Sequence, residues 1–338
     1  MARRFLVPEP TEPLPQPPLP TFSVVIAAYQ AASTIAEAVE SALAQTVPPL
    51  EVIVSDDGST DDIQGALAPF RQRLTLIRGE HAGTGAARNA AVEVARGDFV
   101  SVLDADDAYL PERIEALGEL AVARPDLDIL ATDARIEANG RVLGHFNRST
   151  EFVIGDQRVG ILERCFCAAP AMRRSRFLAI GGFDPSLPIG EDWDCLVRLI
   201  LGGSKAGLVD EPLYRYRRRV GSATWNRPEA FRARLSVLEK AASNPDLRPE
   251  ERAQLRRSLS FHRGRALLAE AEAALRSGTS GARRRTLAVA VAEGMDARTR
   301  LKAVAAALAP RLAGRRLAAR AARSGTSRLE RDMSLRAR

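Results

Sequence analysis

Short apolar segments that alternate with helix-like segments constrain the fold of this chain more than any other feature. Residues 22–28 and 99–103 are almost entirely apolar, and 51–55 follows the same pattern. Continuous apolar runs of this length are typical of strands that are buried on both faces of a parallel sheet. Shorter strands are expected over 74–77 and 128–132. These strand–helix alternations with short links predict an α/β fold with a mostly parallel, doubly wound sheet.

Polar and acidic residues stand at the carboxyl ends of three predicted strands. Ala28 and Tyr29 end the first strand, Asp56 and Asp57 follow the second, and an acidic stretch over 104–107 follows the strand at 99–103. The carboxyl ends of parallel strands share one edge, where open α/β sheets bind ligands. An Asp-x-Asp at that edge can hold a divalent cation through oxygen, whereas the alternative is a solvated turn that caps the next helix. The convergence of three strand ends favours a nucleotide site.

A second acidic group surrounds a tryptophan at the start of a predicted helix. Glu191, Asp192 and Asp194 flank Trp193, and an apolar helical pattern follows them. Acidic residues in the first turn of a helix interact favourably with the helix dipole, so this group has a purely structural interpretation as well.

The composition is that of a globular protein with a basic bias at one end. Of the 338 residues, 46% are hydrophobic and 27% charged, the net charge is +7, and the surplus Arg lies mostly after Glu229. Such an excess suits an anionic membrane surface, nucleic acid or solubility alone. Because only 5% of the residues are aromatic, the chain offers few platforms for base stacking, which disfavours a nucleic-acid partner.

The cysteines and the hydropathy pattern indicate a cytoplasmic protein. Cys165, Cys167 and Cys195 are too few and too unevenly spaced for a zinc site or a disulfide framework. No secretory signal is visible, and no run approaches the roughly 20 apolar residues of a spanning helix. We therefore expect a cytoplasmic location, with peripheral contact at the inner face of the cell membrane as an open option.

The composition predicts three parts of the chain. Residues 1–20 form a Pro-rich disordered leader, since closely spaced prolines prevent helix and ladder formation. Residues 21–226 form the α/β domain, and 227–338 form an Arg/Ala-rich α-helical extension. That extension either packs on the sheet or on another subunit, or presents a basic amphipathic helix to a membrane.

Five motifs in fixed order resemble those of family 2 glycosyltransferases. They are the segments 23–29, 51–61, 83–89, 103–107 and 181–192. The resemblance covers roughly residues 21–225. It implies a GT-A fold and an inverting transfer of a sugar from a UDP-, GDP- or dTDP-linked donor. The implied acceptor is a hydroxyl of a glycan or lipid-linked molecule in cell-surface polysaccharide or glycoconjugate synthesis.

The same resemblance implies roles for individual residues. The implied donor-binding residues are Ala28, Tyr29, Asp56, Asp57, Arg88, Asp104 and Arg219. Asp104 and Asp106 are the implied ligands of Mg²⁺ or Mn²⁺, and Asp192 is the implied general base. Glu191 and Trp193 are expected to shape the acceptor site.

The motif set departs from the family pattern after the last strand. Many relatives carry a His just before a Gly-Ser pair, and Arg219 stands in that place in this chain. An Arg cannot ligate a cation but can pair with a diphosphate. A noncatalytic sugar-nucleotide-binding or scaffold protein on the same fold is the main alternative, and a nucleotidyltransferase is a second one.

Overall fold

The computed structural model describes residues 3–8, 20–138, 140–218, 227–293 and 295–323. The chain divides into two compact units, Met1–Arg219 and Val220–Arg338.

The first unit is an α/β domain. Its strands are β1 (Phe5–Leu6), β2 (Phe22–Ala28), β3 (Glu51–Asp56), β4 (Thr75–Arg78), β5 (Phe99–Asp104), β6 (Ala108–Tyr109), β7 (Ile129–Ala138), β8 (Arg141–His145), β9 (Ala171–Arg173) and β10 (Ala206–Arg217). Its helices are α1 (Ile35–Leu43), α2 (Ile63–Leu67), α3 (Thr84–Val94), α4 (Arg113–Ala123), α5 (Phe146–Ser149), α6 (Gln157–Glu163), α7 (Arg174–Ala179) and α8 (Glu191–Leu201), with a 3₁₀ turn over Ala68–Phe70.

The ten strands found in the described residues belong to one sheet, whose main order is β1-β10-β7-β9-β5-β2-β3-β4. Strands β5, β2, β3 and β4 are neighbours and run parallel. β9 is antiparallel to both β5 and β7, and β10 runs parallel to β7. The fold is therefore the predicted mostly parallel α/β arrangement, with β9 as the antiparallel strand that joins its two halves.

The central strands are buried on both faces, as their apolar runs predict. Val24, Val25 and Ile26 of β2 have no exposed surface, and neither do Val54 of β3 or Leu103 of β5. Burial of a side chain of this size contributes about 1.5–3 kcal/mol relative to exposure. The interior of the sheet therefore fixes the register that aligns the carboxyl ends of these strands.

Residues 3–8 differ from the disordered leader that the composition predicts. Phe5 and Leu6 pair with Val209 and Leu208 of β10, and the side chain of Arg3 forms an ion pair with Glu119. The first proline is Pro8, so the residues before it keep the backbone N–H groups that are needed for hydrogen bonding to a neighbouring strand. Residues 9–19 lie outside the described part of the chain.

The second unit is α-helical. Its helices are α9 (Arg227–Ala242), α10 (Pro249–Ser277), α11 (Ala282–Val291), α12 (Ala297–Leu308) and α13 (Pro310–Arg323). Its core combines large buried side chains, such as Leu238 and Leu255, with clusters of smaller ones, such as Ala271, Val289 and Ala303. Within the described ranges, no helix combines the length and the apolar character that a membrane span needs.

Candidate active site

Three parallel strands end at the same edge of the sheet. Ala28 at the end of β2 is in register with Asp56 at the end of β3, and Ala27 is in register with Asp104 at the end of β5. This is the edge at which the sequence places the ligand site, and the strand register brings the predicted residues of three motifs side by side.

Asp57 closes the glycine-rich loop onto the end of β3. Its Oδ1 accepts the N–H of Ala82 over 2.8 Å and its Oδ2 accepts the N–H of Gly83 over 2.9 Å. The Nδ1 atom of His81 lies 2.9 Å from the same Oδ2, and its ring stacks on Tyr29 with 4.0 Å between centroids. Both carboxylate oxygens of Asp57 are therefore used within the protein.

Asp56 has a different environment, although it is the neighbouring residue. Its side chain is 1% exposed, and its Oδ1 accepts the N–H of Ser59 over 2.9 Å. Its Oδ2 has no hydrogen-bond donor among the described residues, and the Nε of Arg78 lies 3.5 Å away. A buried acceptor without a donor is uncommon in native proteins. Asp56, unlike Asp57, thus keeps one carboxylate oxygen, within ion-pair distance of Arg78, that accepts no hydrogen bond from the described residues.

Gln30 joins the loop after β2 to the loop after β3, a link that the sequence alone does not indicate. It adopts a positive φ of 51°, which is uncommon for a residue other than Gly. Its backbone N–H donates to the hydroxyl of Ser59, and its side-chain oxygen accepts the N–H of Asp61 over 3.1 Å. These bonds hold Tyr29, the preceding residue, beside the glycine-rich loop.

Arg88 of α3 connects the two acidic clusters. Its Nη2 donates to Oδ1 of Asp104 over 2.5 Å, and its Nη1 donates to Oε1 of Glu191 over 2.7 Å. The guanidinium also lies over the ring of Phe183, 5.3 Å from the centroid. Burial lowers the pKa of Arg88, but the charges of Asp104, Glu191 and Asp192 outweigh this effect and raise the pKa, so the group stays charged.

The acidic stretch after β5 contains one structural carboxylate. Asp107 is buried; its Oδ2 accepts the hydroxyl hydrogen of Tyr214 over 2.7 Å, and its Oδ1 accepts the N–H of Arg217 over 2.7 Å. Burial raises the pKa of the Asp107 carboxyl well above its ordinary value, and the charge of Asp104 adds to this effect. Asp107 therefore anchors β10, whereas Asp104 and Asp106 are only half-buried at the edge.

The described residues contain no group of three or more His, Cys, Asp or Glu side chains arranged to hold a metal ion. Asp104 and Asp106 nevertheless fit a cation that takes most of its ligands from elsewhere. Mg²⁺ is commonly held by one or two carboxylates, with waters and substrate phosphates filling the remaining positions. The pair is therefore suited to a cation that a bound diphosphate completes.

The first turn of α8 presents Glu191, Asp192 and Trp193 in three different environments. Burial, followed by the charge of Asp192, raises the pKa of Glu191 to about 6 although Arg88 opposes the shift. Asp192 is exposed to solvent. Trp193 is 5% exposed, and its indole N–H donates to the carbonyl of Ile161 over 2.8 Å. The structure thus gives Trp193 a packing position in the core.

Asn89 and Arg198 hold the glycine turn that precedes α8. Asn89 accepts the N–H of Phe183 with Oδ1 and donates to the carbonyl of Phe183 with Nδ2, each over 2.8 Å. Arg198 donates to the carbonyls of Ile180 and Gly182. The sequence assigns neither residue a role, although Asn89 lies in the same motif as Arg88. Together they fix where the chain enters the helix that carries Asp192.

Arg219, the predicted partner of the diphosphate, lies outside the described residues. Two nearby arginines of β10, Arg215 and Arg217, both form ion pairs with Glu37 of α1. Two ion pairs therefore connect the end of β10 to α1.

Comparison with known proteins gives the same family as the motifs. The sequence profile of glycosyl transferase family 2 matches residues 23–180. The succinoglycan biosynthesis protein ExoO of Rhizobium meliloti (strain 1021) is 33% identical over 227 residues, which are 60% of this chain and 62% of that protein. The match thus spans less than two thirds of the length of this relative.

Two solved structures share the fold. The S. aureus TarS 1-349 structure in complex with UDP-GlcNAc matches with a TM-score of 0.59 at 18% identity, covering 90% of this chain and 92% of that one. The mannosyltransferase PcManGT from Pyrobaculum calidifontis, in complex with GDP-Man and Mn²⁺, matches with a TM-score of 0.54 at 18% identity, covering 91% and 89%. The ordered motifs, the sheet and these matches agree in one respect: the chain is similar to glycosyl transferase family 2, most closely over residues 23–180.

Proposed function

We propose that this protein is an inverting glycosyltransferase. It moves a sugar from a nucleotide-diphosphate donor to a hydroxyl of a glycan or lipid-linked acceptor, in the synthesis of a cell-surface polysaccharide, on the cytoplasmic side of the membrane. The observation that carries the proposal is the double contact of Arg88, which binds Asp104 in the donor motif and Glu191 beside Asp192. A single buried guanidinium thereby links the predicted donor motif to the first turn of the helix that carries the predicted base.

The relatives support the donor and the product class. TarS 1-349 is solved with UDP-GlcNAc, PcManGT is solved with GDP-Man, and ExoO is a succinoglycan biosynthesis protein. Uracil, thymine and guanine each carry a ring N–H, and the buried Oδ2 of Asp56 is an acceptor without a donor among the described residues. A UDP-, dTDP- or GDP-linked sugar is therefore the proposed donor class.

Asp192 is the proposed general base. The acceptor hydroxyl gives its proton to the Asp192 carboxylate while its oxygen forms a bond to the anomeric carbon. The bond from that carbon to the diphosphate oxygen breaks, and the diphosphate leaves with the electron pair. Because the acceptor attacks from the face opposite the leaving group and no protein nucleophile intervenes, one displacement inverts the configuration.

The chain's own residues prepare the leaving group's site. Asp104 and Asp106 would hold Mg²⁺ or Mn²⁺, which supplies positive charge to the diphosphate oxygens. Arg88, whose side chain is almost fully buried, keeps the Asp104 carboxylate in place. Since Glu191 is buried and bound to Arg88, we assign it to positioning α8 rather than to contact with the acceptor.

A nucleotide-sugar binding panel with a turnover assay tests the proposal. We expect UDP-, GDP- or dTDP-sugars to raise the melting temperature of the full chain, and Mn²⁺ to increase that shift. Asp106→Asn should lose the part of the melting-temperature shift that depends on Mn²⁺. Turnover without an acceptor is measured as slow hydrolysis of the donor, in which water takes the place of the acceptor and nucleoside diphosphate is released. Asp192→Asn should keep the melting-temperature shift but lower this release about 100-fold or more.

Glu163→Gln is the matched control for Asp192→Asn, because it also removes one carboxylate but lies on α6 and is half exposed. It should leave binding and hydrolysis unchanged. Binding of nucleotide sugars without any turnover in the parent protein would favour the noncatalytic alternative. Full turnover in Asp192→Asn would refute the assigned base.

A further inference from the structure

The helical unit exposes an unusual share of large apolar side chains. Of fourteen such side chains that are exposed in the described residues, six lie in α11, α12 and α13. They are Leu287, Val291, Leu301, Val304, Leu308 and Leu312. Val291, Leu301 and Leu308 are 79%, 71% and 75% exposed, more than any other large apolar side chain that the structure describes. Contiguous exposed apolar surface commonly marks a site of interaction.

The apolar residues of α12 form a stripe on one side of the helix. Leu301, Val304 and Leu308 follow the spacing of three and four residues that places side chains on one face. Ala303 and Ala307 of the same helix are buried, and Ala303 packs in the core of the unit. The helix therefore has two apolar faces, and the one with the larger side chains is turned to solvent.

The charges around this stripe are almost all positive. Residues 282–323 contain eleven Lys or Arg but only two acidic residues, Glu293 and Asp296. Asp296 caps α12 by accepting the N–H and the hydroxyl hydrogen of Thr299. Arg298 and Lys302 are exposed on the same helix as the stripe. The surface thus combines apolar side chains with an excess of positive charge.

We propose that the apolar stripe of α12, together with exposed apolar and basic side chains of its neighbours α11 and α13, forms a surface that binds an anionic lipid bilayer. Helices with a large apolar face and flanking Lys or Arg lie in the membrane interface, where apolar side chains enter the acyl region and cations meet anionic headgroups. No helix described in the structure can cross a membrane, so the surface lies on the bilayer.

Two other occupants fit less well. A second copy of this chain would bring the same positive charge against the surface, and the two faces would repel each other. A nucleic acid would meet no aromatic side chain between 282 and 323 on which its bases could stack. The anionic bilayer matches both the charge and the apolar stripe. The inference concerns binding alone and does not depend on the transferase activity.

Vesicle flotation of the full chain tests the proposal. We expect binding to vesicles of phosphatidylglycerol and phosphatidylcholine, weak binding to phosphatidylcholine alone, and a decrease as salt screens the charges. The double variant Leu301→Ser/Leu308→Ser should lower the partition coefficient about tenfold or more, since two apolar side chains no longer enter the bilayer. Arg298→Gln/Lys302→Gln should lower it for the anionic vesicles only.

Val142→Ser is the matched control, since Val142 is 53% exposed on β8 of the α/β domain. It should bind vesicles as the parent protein does, and circular dichroism should show unchanged helix content in all variants. Equal binding to neutral and anionic vesicles, or full binding by the Leu301→Ser/Leu308→Ser variant, would overturn the proposal. The proposal would also be overturned if the parent protein formed a dimer without binding vesicles, and if the Leu301→Ser/Leu308→Ser variant were a monomer.

Discussion

Arg88 and Glu191 are 103 positions apart in the sequence, and their side chains form a buried hydrogen bond of 2.7 Å. The other arm of the same guanidinium binds Asp104, so one side chain of α3 links the end of β5 to the first turn of α8. In a low-dielectric interior, charges of opposite sign at this distance attract strongly but must also offset their loss of hydration. The arrangement is favourable only as a complete set, which makes each member sensitive to substitution.

Arg88→Gln should destabilise the protein by about 3–5 kcal/mol, because it leaves two carboxylates without their buried cation. We expect donor binding to weaken as well, since Asp104 loses the partner that orients it. Urea unfolding with and without nucleotide sugar measures both effects. Arg96→Gln is the control, because Arg96 is 73% exposed in its ion pair with Glu51, and such pairs contribute about 1 kcal/mol or less. If Arg88→Gln and Arg96→Gln lowered the free energy of unfolding equally, a special role for Arg88 would be contradicted.

Glu191 should make the stability of the protein depend on pH between about 4.5 and 6. Burial and the charge of Asp192 raise its pKa from 4.5 to about 6, against the opposing charge of Arg88 and with a smaller contribution from Asp104. The folded protein therefore favours the protonated carboxyl. The contribution of the protonated Glu191 carboxyl to the stability of the fold is fully present below pH 4.5 and is lost as the pH rises through 6.

Glu191→Gln measures this dependence, because the amide cannot titrate. The stability of the parent protein relative to this variant should fall by roughly 2 kcal/mol from about pH 4.5 to about pH 7, as a shift of this size requires. Thermal unfolding of both proteins across that range gives the difference. A difference that is constant with pH, or that grows as the pH rises, would contradict the assigned shift.

The strands that the sequence predicts well are those whose burial is visible in their composition. β2, β3 and β5 are short apolar runs, and the structure places them within one residue of the predicted bounds. β7 and β10 are much longer than their apolar parts, since they continue side by side through polar residues. Ion pairs such as that between Arg215 and Glu137 connect the polar ends of these two strands. Such pairing between distant segments leaves no periodic signal in the sequence.

The same limit applies to helix ends and to the site. Thr34 and Glu37 have the spacing of a capping box, yet Thr34 makes no side-chain cap and Glu37 binds Arg215 and Arg217. Long-range charge pairing thus replaces a local interaction. The inward position of Trp193, in contrast, follows from a visible pattern, because it shares the apolar face of α8 with Leu196 and Ile200. The motifs contain Arg88, Asp104 and Glu191, which the structure brings into contact, but the motifs do not show which of their side chains pack inside the protein.

Asn89→Ala should lower turnover without lowering the affinity for the donor. It removes both bonds to the backbone of Phe183, which costs about 1–3 kcal/mol when buried groups lose their partners, and it frees the turn that leads into α8. We expect a fall in kcat and an unchanged thermal shift with nucleotide sugar, because Asp192 moves while the donor edge does not. Ser186→Ala, which removes an exposed bond in the same turn, should have little effect on either quantity.

Asp56→Asn and Asp57→Asn should separate recognition of the base from support of the loop. In the Asp56→Asn variant, the amide would keep an oxygen for Ser59 but replace Oδ2, the proposed acceptor of a ring N–H of the base, with a donor. Uracil and guanine offer that N–H, whereas the corresponding ring nitrogen of cytosine is an acceptor.

We therefore expect Asp56→Asn to weaken UDP or GDP binding relative to CDP about tenfold. Asp57→Asn instead sets an amide against the N–H of Ala82 or Gly83, and should weaken all nucleotides alike. Calorimetric titration with UDP, GDP and CDP measures these affinities. If the ratio of UDP affinity to CDP affinity changed in Asp57→Asn but not in Asp56→Asn, Asp57 would recognise the base and Asp56 would support the loop.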